Sequence, residues 1–135
     1  MTPSVTDVEA RSYELDPYGH LNNAVYINWL EHGRLCFLRD HGESYMSVPE
    51  KYDVWIVVVR QEVDYRAQVG LGDRLRLTSE IERFGGSSFR FRQTIAFEEG
   101  RPAAEARVTM VCIDKDGNSA PMPQALRAAL ETAAT

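Results

Sequence analysis

The residues best equipped for chemistry fall in one short run, Asp16-Pro17-Tyr18-Gly19-His20-Leu21-Asn22-Asn23. A carboxylate at Asp16 can take a proton from water as a general base, or attack a carbonyl carbon itself and form a mixed anhydride. Just beyond it the pattern becomes helical. The first turn of a helix leaves backbone N–H groups without internal partners, and the macrodipole makes that end attractive to an oxyanion. A carboxylate beside idle amides supplies both parts that acyl transfer from a carbonyl compound needs, a means of delivering oxygen and a place for the developing negative charge. The competing reading of Asp16 is plain turn chemistry, since Asp-Pro-x-Gly is a common turn in which Pro fixes one φ and Gly can supply a positive one.

Neighbouring side chains extend this constellation. His20 can polarise a carbonyl, orient Asp16, or cap the turn through its imidazole. Asn22 suits a helix cap and suits equally a ligand to substrate or water. Tyr26 and Trp29 read as core or pocket wall.

The elements that must position these groups follow in a simple order. Residues 5–14 read as a strand, the turn 16–19 follows, and a helix runs from Asn22 or Asn23 to His41, with Asn as N-cap and Gly42 as its stop. Apolar residues of this helix, among them Tyr26, Trp29, Leu30, Leu35, Phe37 and Leu38, occupy more than one stripe, so it must be covered on most sides. Gly33 in its middle is tolerable if it lets another backbone come close. After a polar loop containing Pro49, residues 53–66 open with Val54-Trp55-Ile56-Val57-Val58-Val59, apolar at successive positions, as in a strand buried on both faces. Residues 73–84 alternate, with Leu75, Leu77 and Ile81 against Arg74, Arg76, Glu80 and Glu82. Gly85-Gly86-Ser87-Ser88 makes a hairpin to an alternating strand at 89–97. A turn at 99–102 leads to a last long strand, 103–114, and the Ala-rich stretch 123–134 reads as a short surface helix.

The sum is an α+β arrangement, one buried helix against an antiparallel sheet. One helix cannot cover the whole sheet, whose exposed edge should pair with a second subunit or be protected by charge. The bulk numbers agree with one domain spanning 1–135: the chain has 135 residues, 44% of them hydrophobic and 26% charged. No apolar run is long enough for a bilayer, and residues 1–7 have neither the basic nor the apolar region of a secretory signal, so the expected home is the cytoplasm and no membrane partner is expected. A net charge of −5 argues against nucleic-acid binding while leaving room for a polyanionic small ligand at a local basic patch. Cys36 and Cys112 lack metal-ligand spacing and read as small buried hydrophobes, so no metal is expected.

The segment from Asp16 to Arg34 matches D-x-x-G-H-x-N-N-x-x-Y-x-x-W-x-E-x-x-R and resembles the signature of the 4-hydroxybenzoyl-CoA thioesterase family, in its long-chain acyl-CoA branch. Val63-Asp64-Tyr65, Gly72-Asp73 and Ser87-Ser88 fall where that family places a central-strand tyrosine, a G-D turn and hairpin serines. The similarity covers about residues 7 to 114, and the tail from about 118 lies outside it. The resemblance implies the hotdog fold, a sheet of five or so strands wrapped around one long central helix, assembled as a dimer or a dimer-of-dimers tetramer with sites at the interface. It implies hydrolysis of an acyl-CoA or acyl carrier protein thioester within fatty-acid metabolism, with Asp16 as the catalytic carboxylate and the backbone N–H of Asn23, or one close to it, as oxyanion donor. Gly19 would then let the turn approach the substrate, and His20 would assist. Asn22 and Tyr26 would contact substrate. No separate cofactor is implied, coenzyme A being part of the substrate.

In this family, basic residues near the hairpin help hold the CoA phosphates. Here Arg83, Ser87, Ser88, Arg90 and Arg92 are the candidates, although arginines alternating along a strand more often form its solvated face. Some members use a mid-helix carboxylate, which makes Glu31 the rival to Asp16. A buried Glu31 would need Arg34 or His32 as partner, or a raised pKa. Trp29, Phe37, Trp55, Phe89 and Met110 are candidates to line an acyl slot. Two other readings stand beside the hydrolase. One is a hotdog hydratase or dehydratase, whose usual Asp and His are spaced five apart with Asn-Pro between, whereas Asp16 and His20 are four apart. The other is an acyl-thioester binding subunit without turnover.

Overall fold

The structure, a computed structural model, describes residues 3–132. Five strands, β1 (Ser4–Glu9), β2 (Trp55–Tyr65), β3 (Arg74–Phe84), β4 (Ser88–Phe97) and β5 (Pro102–Ile113), form one sheet in the order β1-β3-β4-β5-β2. Every pairing is antiparallel. The long helix α1 (Asn23–Asp40) packs against β1 and β3, and two shorter helices, α2 (Ser47–Tyr52) and α3 (Gln124–Glu131), lie near its C-terminal half. This is the α+β hotdog arrangement. Among the described residues no helix is long and apolar enough to cross a membrane.

The ends of α1 follow from sequence chemistry. Asn22 is the N-cap, its side-chain oxygen accepting the Ala24 N–H at 2.9 Å, which satisfies one of the first-turn donors. Past the C-cap His41, Gly42 takes φ +76, a conformation that glycine enters without steric cost. Along the helix the core divides in two. Tyr26, Trp29 and Leu30 join Leu75, Leu77 and Ile95, while Phe37 and Leu38 join Phe89, Phe91, Met110, Leu126 and Leu130. Gly33 sits between these halves. A Cβ there would stand 2.9 Å from Ser79 Oγ and 3.0 Å from Gln93 Nε2, so the glycine does permit the close approach expected of it. A buried polar group occupies this waist: Gln93 donates to Leu30 O and Ser79 Oγ, each at 2.9 Å, and accepts from Arg34 Nη1 at 3.1 Å. Both cysteines are buried and unpaired.

Four expectations need correction. The strand read at 5–14 ends at Glu9, and Ser12–Glu14 forms a 3₁₀ turn, because Glu14 folds back to bond Arg11. The run 54–59 is not buried on both faces: β2 is an edge strand in which Val58 and Val59 are exposed and Ile56 is buried. The ladder to β5 shifts register between Val58 and Arg60, so Val59 is a bulge residue that breaks the alternation. The loop around Pro49 is the helix α2, with Pro49 in its first turn, where a missing N–H costs no bond. Last, Leu35, counted among the apolar residues of α1 to be covered, is exposed on the side of the helix where Glu31 and His32 face solvent. The surface helix at 123–134 is present over Gln124–Glu131, and residues 133 and 134 lie outside the described residues.

Candidate active site

The segment linking β1 to α1 is held as a closed loop. Leu15 and Leu21 bridge as an antiparallel pair, and the Asp16 N–H donates to His20 O at 2.7 Å. Inside the loop, Asp16 Oδ1 accepts the backbone N–H groups of Tyr18 at 2.8 Å and His20 at 3.1 Å. The turn reading of Asp16 is therefore correct for one oxygen. The other, Oδ2, has no hydrogen bond within the described residues and belongs to a half-buried side chain on a groove wall. Turn and chemistry are compatible because a carboxylate has two oxygens. Gly19 takes φ +79, and a Cβ there would meet no protein atom within 4 Å. Within the chain, it is the positive φ that requires glycine here.

The helix start faces the same groove. The Asn22 N–H is taken by Glu14 O at 2.9 Å, the Ala24 N–H by the Asn22 side chain, and the Val25 N–H by Asn22 O at 2.9 Å. The Asn23 N–H has no partner among the described residues, and the first turn of α1 carries no acidic side chain to neutralise its positive end. A groove of about 740 Å³ brings together Asp16, His20, Asn22, Asn23 and Tyr26 with Tyr18, Leu21, Tyr65, Arg66, Ala67 and Gln68. Tyr26 is buried at its wall, donating to Ala67 O at 3.3 Å and meeting Tyr65 edge to face at 5.0 Å. Burial raises the Tyr26 phenol above its ordinary pKa, and Tyr65 adds to the effect. Tyr65 in turn donates to Asn23 O at 3.3 Å.

Glu31 is solvent-facing and does not line this groove. The predicted Arg34 partnership is not a hydrogen-bonded pair either, because Arg34 turns into the core toward Gln93. The hairpin candidates are elsewhere: Arg83, Ser88 and Arg90 line a separate hollow of about 200 Å³, and Arg90 pairs with Glu82 at 2.8 Å. Ser87 O is bonded by the Cys112 N–H at 2.8 Å. Within one chain these residues and Asp16 do not share a cavity. Nor do the proposed slot residues form one wall. Trp29 belongs to one core cluster, Phe37, Phe89 and Met110 to the other, and Trp55 lies half-exposed on β2.

Several wall residues escaped the sequence reading. Tyr65 had a signal in the Val63-Asp64-Tyr65 similarity, whereas Arg66, Ala67 and Gln68 are irregular backbone after β2 and follow no periodicity. Glu14 was hidden inside the strand assigned too long.

Sheet and helix define a hotdog fold, and comparison with known proteins gives the family and its chemistry. The chain belongs to the thioesterase-like superfamily, whose model matches residues 10–130. It is 36% identical over 110 residues to the long-chain acyl-CoA thioesterase FadM of Escherichia coli K12, covering 81% of this chain and 82% of the relative. It is 33% identical over 101 residues to the acyl-CoA thioester hydrolase YbgC of E. coli O6:H1, covering 75% of each. Among solved structures, a thioesterase of Thermus thermophilus complexed with coenzyme A and zinc superposes with a TM-score of 0.83 at 30% identity, covering 98% of this chain and 100% of that one. The reaction class of the chain is thioester hydrolysis. Among the described residues no group of three or more His, Cys, Asp or Glu is placed to hold a metal ion.

Proposed function

We propose that the chain hydrolyses acyl-CoA thioesters in the Asp16 groove. The observation that carries this reading is that Asp16 Oδ2 and the Asn23 N–H, both unengaged within the described residues, border one groove at the positive end of α1. With the acyl carbonyl against α1, its oxygen takes the Asn23 amide as donor. Oδ2 then removes a proton from an attacking water, or attacks the carbonyl carbon itself. In the first route hydroxide adds to the carbon, the C–S bond breaks, and the proton passes to the departing thiolate. In the second a mixed anhydride forms with loss of thiolate, and water cleaves it. His20 and Asn22, on the groove wall, orient water or the thioester, and Tyr26 with Tyr65 forms the apolar side against which the acyl group lies.

Coenzyme A is the preferred carrier in this reading, supported by the acyl-CoA enzymes among the relatives. An acyl carrier protein is disfavoured by the net charge of −5. The enzyme works in the cytoplasm as a homodimer or a dimer of dimers. Support for a dimer comes from β2, an edge strand with exposed Trp55, Val58, Val59 and Tyr65, which a second copy of β2 would cover. Edge-to-edge pairing would make Tyr65 a central-strand residue and would allow the partner's hairpin, with Arg83, Ser87, Ser88 and Arg90, to serve a CoA phosphate that the same chain's groove does not reach.

A panel of acyl-CoAs varied in chain length and ring content, followed by a thiol-reactive dye, tests class and substrate together. Thiol release from saturated acyl-CoAs is expected. Loss of crotonyl-CoA absorbance without thiol release would turn the reading to a hydratase, and tight acyl-CoA binding with no thiol over hours would turn it to a binding subunit.

A further inference from the structure

Glu14 is a buried carboxylate, 7% exposed, that the reaction above does not use. Its Oε1 accepts from Arg11 N at 2.9 Å and Arg11 Nε at 3.0 Å, and its Oε2 accepts from Trp29 Nε1 at 3.1 Å and Arg11 Nη2 at 3.4 Å. The same residue's carbonyl oxygen holds the Asn22 N–H at 2.9 Å. Glu14 thus grips α1 twice, through its side chain at Trp29, about two turns into the helix, and through its backbone at the cap. Asp16 lies two residues beyond Glu14, and Asn23 lies one beyond Asn22. One residue therefore ties the strand of chain that carries the carboxylate to the helix end that carries the amide.

Stability alone does not require a charge in this place. Taking a carboxylate out of water is costly, and replacing a buried ion pair with well-packed apolar side chains is often neutral or stabilising. Arg11, the charged partner, has a side chain 58% exposed, so its attraction is screened. Apolar side chains of matched total volume at 14 and 29 would fill this space without burying a charge. What such a replacement would lose is a fixed direction and distance between the loop and the helix.

We infer that the Glu14–Trp29 hydrogen bond is a positioning device that sets the separation of the Asp16 carboxylate and the Asn23 amide, and so governs turnover rather than substrate affinity. The inference rests on the Asp16 reading. Displacements near 1 Å at a reacting centre can cost about 10²-fold, and removing one of several restraints should cost part of that.

The test uses the full chain and an acyl-CoA substrate with thiol release as readout, for Glu14→Leu, Trp29→Phe, the two combined, and Asp16→Asn in parallel, all assayed below their thermal midpoints. Leu has no acceptor for the indole N–H, and Phe has no donor. Glu14→Leu and Trp29→Phe are each expected to lower kcat about tenfold with KM within about twofold of the parent. The combined variant should be no worse than the poorer single one, because both substitutions remove one shared interaction. Trp29→Phe decides the matter if Glu14→Leu does not fold. A folded variant with parental kcat, a raised KM with kcat unchanged, or losses that multiply in the combined variant would overturn the inference. Asp16→Asn separates the two levels. If it is inactive while Glu14→Leu is fully active, the positioning role alone falls. If it keeps its turnover, the Asp16 reading falls and takes this inference with it.

Discussion

Asp16 is a carboxylate divided between two tasks. Oδ1 closes the turn by accepting two backbone amides, which fixes the side-chain rotamer, and that leaves Oδ2 aimed without further restraint. The donor opposite is a backbone group, which makes an unusual separation possible. Asn23 is the first residue of α1, where proline is well tolerated, and Asn22 already has the extended backbone that a following proline demands. Asn23→Pro should therefore delete the N–H with little loss of thermal stability and lower kcat about 10²-fold or more. Asn23→Ala, which keeps the amide, should retain kcat within a few-fold. Equal loss in both variants would place the oxyanion donor elsewhere. Glu14 adds a pH prediction. Burial pushes its carboxyl up, but bonds from the Arg11 side chain, the Arg11 amide and the Trp29 indole together outweigh this, leaving the pKa below the ordinary value of 4.5. Its contribution to folding is fully present above that value and is lost as pH falls through the lower folded pKa. The stability difference between the parent and Glu14→Gln should thus stay level from neutral pH to about 5 and shrink below 4.5. Urea unfolding at stepped pH measures it. A difference that grew on acidification would reverse the sign argued here.

Among the elements, α1 shows how a single missing Cβ sets a packing distance. Gly33→Ala gains about 1 kcal/mol of helix propensity, but the new methyl would stand at 2.9 and 3.0 Å from Ser79 Oγ and Gln93 Nε2. Both atoms belong to the buried polar group joined to Arg34 and Leu30 O, so neither can move without breaking a bond in the core. Overpacking of this kind costs about 1–3 kcal/mol, and loss of a buried hydrogen bond costs about 1–3 more. The net should be destabilisation by about 1–5 kcal/mol, seen as a lower thermal midpoint. A stabilised Gly33→Ala would mean that the helix can lift off the sheet freely. The elements themselves were readable where one periodicity governs a stretch: α1, with its asparagine cap and glycine stop, and the alternating β3 and β4. They were misread where a local bond or an edge position intervenes, as at Glu14, which curls the chain out of β1, and at Val59, where a bulge breaks β2.

For the whole molecule, the decisive feature is the apolar edge at β2. An exposed strand carrying Val58 and Val59 is an aggregation hazard unless something pairs with it, and the proposed second copy does so with main-chain bonds along the strand. Val59→Lys should weaken that association and lower kcat/KM, with the mass from light scattering moving toward that of one chain. A parent protein that is monomeric at assay concentration, yet fully active, would contradict the dimer. The sequence misjudged this strand because a run of β-branched residues reads the same in a buried central strand as in an edge strand broken by a bulge. The candidate site was legible as far as it is local. Asp16, His20, Asn22, Asn23 and Tyr26 lie close together in sequence and meet in one groove, whereas the wall from Arg66 to Gln68 and the place of the hairpin arginines depend on how the sheet closes. The single-chain structure keeps the hairpin arginines apart from Asp16.

The role of Asp16 is tested by the single-turnover rate of thiol release from an acyl-CoA by Asp16→Asn, with enzyme in excess and folding checked by circular dichroism. Amide replacement leaves an oxygen for the Tyr18 and His20 amides and removes the basic, nucleophilic Oδ2. A folded protein whose rate falls about 10²-fold or more is expected. A rate within a few-fold of the parent would show that another group cleaves the thioester.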